Sequence, residues 1–277
     1  MKKILVLLTF LFMMGCTEQN QENVRNVTSE SPIQTSSDLQ VDHFNMWVKN
    51  PTKAKQLLLD IGFTAVPDSL SQIHHGQGTA GRYFSFLNAY LELIFVYDQK
   101  ELEVNSTKNE ALDFSERANF ENNGASPFSI ALKIKDYQIK KIPFETVAYR
   151  QDWMEENTSI FAAKSSKTHL KQPSVFVVYP EIEADVFESL SALDSMPPKD
   201  DFWKAFFKHP NGAKKVTQIV ITSTDKSLTT KTILALNGIE NVTVKTGKEH
   251  LMELHFDDDA LGKSFDLRPD LPLVIYL

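Results

Sequence analysis

The sequence predicts an α+β protein built from repeated βαβββ modules whose mixed sheets curl around a cleft. Three observations lead there. A strand, a proline-initiated helix and a glycine stop follow one another over positions 41–62, and further strands come after them. The same succession returns over positions 216–238, a span of 22 positions against 21 in the first copy. Between the two, short apolar segments in 128–179 form a more degraded copy.

In the first module, residues 41–48 (VDHFNMWV) read as a strand. Asn50 then caps a helix that has Pro51 at its first position, where the missing N–H does no harm. Ala54, Leu57, Leu58 and Ile61 recur at helical spacing and give that helix one apolar face. Gly62 supplies a left-handed stop. Strands are expected at 63–66, 81–86 and 90–96. In the second module, strands are expected at 128–134, 159–164 and 175–179, with a short helix or turn at about 136–142. The third opens with a strand at 216–222 and a helix at about 226–236. That helix ends in Asn237-Gly238-Ile239, an echo of Ile61-Gly62-Phe63. Strands at 242–244, 251–256 and 273–277 complete it. The modules thus cover about 39–97, 127–180 and 214–277. The polar stretch 98–124 and the acidic stretch 181–201 are expected as surface excursions.

The first sixteen residues have a different character. Lys2 and Lys3 precede an apolar run, 4–14, that is too short for a bilayer core needing about 20 helical residues but suits an export signal. Met13-Met14-Gly15-Cys16 resembles the lipobox of bacterial lipoproteins, with Met where Leu is commoner. That resemblance implies a signal peptide over 1–15, cleavage before Cys16 and lipid on its thiol, which would hold the chain on the cell envelope. Thr17 in place of Asp favours the outer membrane in a Gram-negative cell. Residues 16–38 are rich in Gln, Asn, Ser, Thr and Glu, too polar to offset their ordering entropy, and are expected as a flexible tether. Cys16 is the only cysteine in the chain, which excludes an intramolecular disulfide, a thiol nucleophile or a cysteine metal site in the body. A net charge of −7 gives no support for nucleic-acid binding.

The segment His74-His75-Gly76-Gln77-Gly78-Thr79-Ala80-Gly81-Arg82-Tyr83-Phe84-Ser85-Phe86 carries the most information, with Tyr90-Leu91-Glu92-Leu93-Ile94 after it and Asp42-His43 on the opening strand. Together these resemble a glyoxalase-like domain of the vicinal-oxygen-chelate superfamily. Ser126-Pro127-Phe128 and His209-Pro210-Asn211-Gly212 extend the resemblance over about 39–277. It implies paired modules around a cleft in which many members hold a divalent metal that chelates neighbouring substrate oxygens.

Strand alternation puts His43, Asn45 and Trp47 on one face of the first strand, opposite the apolar Phe44, Met46 and Val48. On the fourth strand Tyr90, Glu92 and Ile94 oppose Leu91, Leu93 and Phe95. A lone Glu in such a run is costly to bury without a cation, donor or metal. His43 and Glu92 match the first-strand and fourth-strand ligands of metal-binding relatives. Aligning the second copy puts Ser129 opposite His43 and a valine near Val178 opposite Glu92. Aligning the third puts Gln218 opposite His43, with no carboxylate on its last strand. Each pairing lacks at least one usual ligand. His43, Glu92 and Gln218 form a candidate set for zinc, iron, nickel or manganese. Otherwise Glu92 accepts hydrogen bonds from Arg82 or Tyr90 and His43 is a neutral cleft residue.

His74 and His75 are candidates to bind an anionic substrate or move protons, and Arg82 either clamps a substrate carboxylate or pairs with Glu92. With Asn45, Trp47 and Tyr90 they make up the expected substrate-binding set. His250 and His255, five apart, fall on opposite strand faces, and Asp257-Asp258-Asp259 reads as a solvated turn. Three functions stay open: a metal-assisted lyase, isomerase or dioxygenase acting on a small oxygenated or carboxylated molecule; a metal-free small-molecule binding protein; or a homodimeric envelope scaffold in which an unpaired module finds its partner.

Overall fold

The computed structural model describes residues 38–154, 156–197 and 201–277. The expected signal peptide, Cys16 and the tether up to residue 37 lie outside the described residues. The described residues form one compact unit.

Its centre is an eight-stranded sheet, ordered β2 (Ile73–His74), β3 (Thr79–Ser85), β4 (Tyr90–Val96), β1 (Leu39–Trp47), β5 (Phe128–Ile134), β8 (Ser174–Val177), β7 (Ile160–Ala163) and β6 (Thr146–Tyr149). β1 runs parallel to β4, β5 runs parallel to β8, and the two pairs join through the antiparallel β1–β5 ladder. Phe44 faces Ile130 across that ladder, so an approximate two-fold axis relates the first module to the second and superposes Ser129 on His43. β6 was not foreseen, and neither was its role. It brings the second module's outer edge against the first module's, where Tyr149 Oη donates to Gln77 Oε1 at 3.1 Å and Trp153 Nε1 donates to the His75 carbonyl at 3.0 Å. The sheet is therefore curled, and its two edge regions touch.

Helix α1 (Pro51–Asp60) forms as expected: the Asn50 side chain accepts from the Lys53 amide at 2.9 Å and Pro51 occupies the first turn. Ala54 and Leu58 are its buried residues. Gly62 has φ of +85°, and an added Cβ there would press on Asn211. The corresponding crossover in the second module has shrunk to two 3-10 turns, Lys135–Tyr137 and Ile139–Lys141. Residues 98–124 are more ordered than a surface excursion: they fold into α2 (Gln99–Lys108), α3 (Phe114–Ala118) and α4 (Phe120–Asn123). Further along come α5 (Ser165–Thr168), α6 (Leu190–Ser195) and α7 (Asp201–Lys204).

Residues 214–277 differ from a third βαβββ copy. They make a five-stranded sheet ordered β10 (Val242–Thr246), β9 (Val216–Ser223), β11 (Leu251–Phe256), β13 (Leu273–Tyr276) and β12 (Ser264–Asp266), with α8 (Lys231–Leu236) after β9. β9 is parallel to β10, β11 is parallel to β13, and an antiparallel ladder joins the pairs. This is the parallel–antiparallel–parallel pattern of β4, β1, β5 and β8, so the segment holds two shortened halves. Left-handed residues follow the matching strands in both sheets: Asp136 and Tyr137 after β5, and Asp257, Asp258 and Asp259 after β11. Gly238, in contrast to Gly62, is not among the positive-φ glycines, so the sequence echo is not a shared backbone conformation.

The outer face of the large sheet, α1 and the inner face of the small sheet share one core, in which Phe86 and Phe256 rings meet at 4.7 Å and Phe63 and Phe256 at 5.5 Å. His209 helps fasten the two sheets. Its Nδ1 accepts from the Thr64 amide at 3.0 Å and its Nε2 donates to the Ser85 carbonyl at 2.9 Å, an arrangement only the neutral ring can make. Burial pushes its pKa down from 6.5 to about 4. The folded pKa lies below the unfolded one, so this contribution is full above about pH 6.5 and is lost as the pH falls through about 4. Wild-type protein should lose up to about 3 kcal/mol more stability than His209→Leu over that window, a difference that urea unfolding at the two pH limits measures.

Candidate functional site

The curl encloses a cavity of about 200 Å³ on the face of the large sheet turned away from the core. Alternation along β1 sends His43, Asn45 and Trp47 into it, and β4 adds Tyr90, Glu92 and Ile94. Both triplets agree with the sequence expectation. The second module contributes Ser129, Tyr149 and Phe176, while Phe114 and Arg117 of α3 help form a roof that the sequence did not reveal.

Glu92 is 4% exposed. Its Oε2 accepts from Asn45 Nδ2 at 2.9 Å and its Oε1 from Tyr83 Oη at 3.2 Å. Its partners are thus Asn45 and Tyr83, with His74 Nε2 3.5 Å from Oε1, rather than Arg82 or Tyr90. Behind Tyr83 the bonded groups continue: His74 Nε2 lies 3.1 Å from Tyr83 Oη, His74 Nδ1 lies 2.9 Å from Thr79 Oγ1, and Gln77 Nε2 donates to Thr79 Oγ1 at 2.7 Å. With the Tyr83 hydroxyl donating to Glu92, His74 Nε2 is the donor to Tyr83 Oη. Burial, reinforced by the negative Glu92, pushes the Tyr83 and Tyr90 hydroxyls far above their ordinary pKa, so both stay protonated donors.

Asn45 has one unfinished bond. A carboxylate only accepts, so Glu92 fixes the amide with Nδ2 inward. Oδ1 is left buried with no hydrogen-bond partner, at a cost of about 1–3 kcal/mol.

A β-bulge on β1 places His43. The register against β5 slips between Val41 and His43, so Asp42 is the extra residue. This brings the Asp42 carboxylate, itself 0% exposed, to 2.6 Å from His43 Nδ1, while its other oxygen accepts from the Ala184 amide at 2.7 Å. Tyr90 stacks on the imidazole at 4.2 Å. Held from both sides, the ring has one orientation.

Three expected residues lie elsewhere. Arg82 is in phase with Ala80 and Phe84 on β3, so its guanidinium leaves by the opposite face, pairs with Asp68 at 3.1 Å and covers the Phe95 ring. His75 is exposed and does not line the cavity. Gln218 is exposed on β9 of the other sheet, so it cannot join His43 and Glu92. Of the remaining expected residues, His43, Asn45, Trp47, His74, Tyr90 and Glu92 all line the one cavity.

The donor set can be tested against a divalent metal. The first module keeps an oriented imidazole and a carboxylate. The approximate two-fold puts Ser129 in the place of His43, and the β5–β8 register puts Phe176, rather than a valine near Val178, in the place of Glu92. A hydroxyl and a phenyl ring complete no three-ligand site. Among the described residues no group of three His, Cys, Asp or Glu side chains is arranged to hold a metal. The residues present do not fit the metal that the fold family implies.

The chain belongs to the glyoxalase-like domain family, whose model matches residues 41–236. Among solved structures, a hypothetical protein from Staphylococcus aureus is similar over 86% of this chain and 97% of its own, at 13% identity and a TM-score of 0.50. Methylmalonyl-CoA epimerase from Mycobacterium tuberculosis matches 53% of this chain and 94% of its own, at 13% identity and a TM-score of 0.35. A Streptomyces coelicolor methylmalonyl-CoA epimerase variant matches 52% of this chain and 97% of its own, at 14% identity and a TM-score of 0.33. No curated protein matches significantly.

Gly81 is the floor tile of the site. It lies on the cleft face of β3 between Thr79 and Tyr83, and a Cβ there would collide with Glu92 Oε1 and the Tyr83 ring. Gly81→Ala should destabilise the fold by about 1–3 kcal/mol through overpacking, read as a shifted midpoint in denaturant unfolding.

Proposed function

We propose that this chain is a cell-envelope lipoprotein whose first two modules bind a small molecule by hydrogen bonding and apolar contact, without a divalent metal. One observation carries the binding reading: a cavity enclosed by two modules with a buried Glu92–Asn45–Tyr83 cluster facing into it and an amide oxygen still unpaired. Ligand cavities combine largely apolar walls with a few convergent polar groups of this kind. The donor set favours this over a metal-assisted lyase, isomerase or dioxygenase, because Ser129 and Phe176 stand where two further ligands belong. The envelope part rests on the sequence of the first sixteen residues alone, and mass spectrometry of Cys16→Ser beside wild type tests it. A lipid-sized mass difference supports the anchor, and identical processing removes it.

A soluble chain of residues 35–277 should bind members of a neutral fragment library in ligand-observed NMR, with no change on adding a chelator. Ala162→Trp fills the cavity from β7, where Ala162 is a lining residue. It should abolish binding while leaving thermal unfolding within a few degrees of wild type. Fragments that bind both proteins equally would place binding outside the cleft.

A further inference from the structure

Resting on that reading of the cleft, we infer that its ligand carries a protonated amine, which docks against Glu92 and the Asn45 Oδ1. The cavity wall is arranged to accept. Glu92 is buried with the Asn45 amide and the Tyr83 hydroxyl as its hydrogen-bond donors and His74 Nε2 at 3.5 Å, and the buried Asn45 Oδ1 has no hydrogen-bond partner. A carboxylate buried among neutral donors is stabilised further by a cation.

No Lys or Arg side chain among the described lining residues is directed at that carboxylate. Among the described lining residues the one Lys or Arg is Arg117, which is 1% exposed and already spent. Its Nε donates to Asp113 at 2.6 Å, Nη1 reaches the carbonyls of Ser126, Leu170 and Gln172, and Nη2 reaches that of Ser166. Arg82 pairs with Asp68 outside the cleft. His43 Nδ1 is held by Asp42 at 2.6 Å, and His74 Nε2 stands closer to Tyr83 Oη, at 3.1 Å, than to Glu92 Oε1, at 3.5 Å. Glu92 is therefore the carboxylate of the described lining that no Lys or Arg pairs with, whereas Asp113 has Arg117. A carboxylate ligand would meet Glu92 with no Lys or Arg to offset the repulsion. Trp47, Phe114, Tyr149 and Phe176 give aromatic walls, which suit both a flat apolar body and a nearby ammonium.

Three probes of one shape separate the terms: benzylamine, benzyl alcohol and benzoate, titrated by ligand-observed NMR into residues 35–277 near neutral pH. Benzylamine, protonated there, should bind at least about tenfold tighter than either of the others. Glu92→Gln should bring it down to the level of benzyl alcohol. Asn45→Ala keeps the carboxylate and should weaken benzylamine about threefold or more, which guards against Glu92→Gln failing to fold. Benzoate or benzyl alcohol binding as tightly as benzylamine, or a benzylamine preference that survives Glu92→Gln, would overturn the inference and leave the cleft standing. Binding of all three unaffected by Ala162→Trp, or no binding by any, would overturn the cleft reading with it.

Discussion

The β1–β5 ladder is the constraint on which the rest of this structure depends. It is the antiparallel seam between two parallel pairs, and seven residue pairs are in register along it, from Leu39–Ile134 to Met46–Phe128. Because side chains alternate, this register decides at once which residues enter the core and which enter the cleft. Phe44, Met46, Ile130 and Leu132 go to the core shared with the small sheet, while His43, Asn45 and Ser129 go to the cavity. A slip of one residue would exchange the two sets. The bulge at Asp42 is a local exception, and it gives the cleft an imidazole braced by a buried carboxylate.

The two halves of the cleft have diverged unequally. The first keeps the polar residues and their supporting hydrogen bonds, while the second offers Ser129, Ser174 and Phe176 at the places of His43, Tyr90 and Glu92. Polarity on one wall and aromatic surface on the other suit a ligand with one charged end and one flat apolar end. In the first module the β-scaffold holds the buried Glu92 beside the Asn45 amide, the Tyr83 hydroxyl and His74. The small sheet repeats the strand pattern in shortened form and backs the large one, burying the face that would otherwise expose Phe86, Phe84 and Leu93.

Much of the first module was legible from residue types. The Asn50-Pro51 start, the Gly62 stop and the alternation on β1 and β4 are local signals, and local backbone physics decides them. Arg82 could have been placed by the same alternation, since it is in phase with Ala80 and Phe84, but its charge suggested a functional role instead. The roof was not legible: the 98–124 stretch has little apolar periodicity, and α3 is held by the tertiary bonds of Arg117 to carbonyls from 126 to 172. The Asp42 bulge has no sequence mark, because an extra residue in a strand is visible only against its partner. The echo at Gly238 promised a third full module, yet strand pairing, which one sequence cannot show, divides 214–277 into two shortened halves.

The most direct test restores the missing half. Purified residues 35–277 are dialysed against zinc and then against buffer, and bound metal is measured by mass spectrometry for wild type and for Ser129→His with Phe176→Glu. Wild type should retain no stoichiometric zinc, and the double variant should retain about one equivalent, held by His43, Glu92 and the two introduced ligands. One equivalent of zinc in wild type that disappears with His43→Ala would contradict the metal-free cleft.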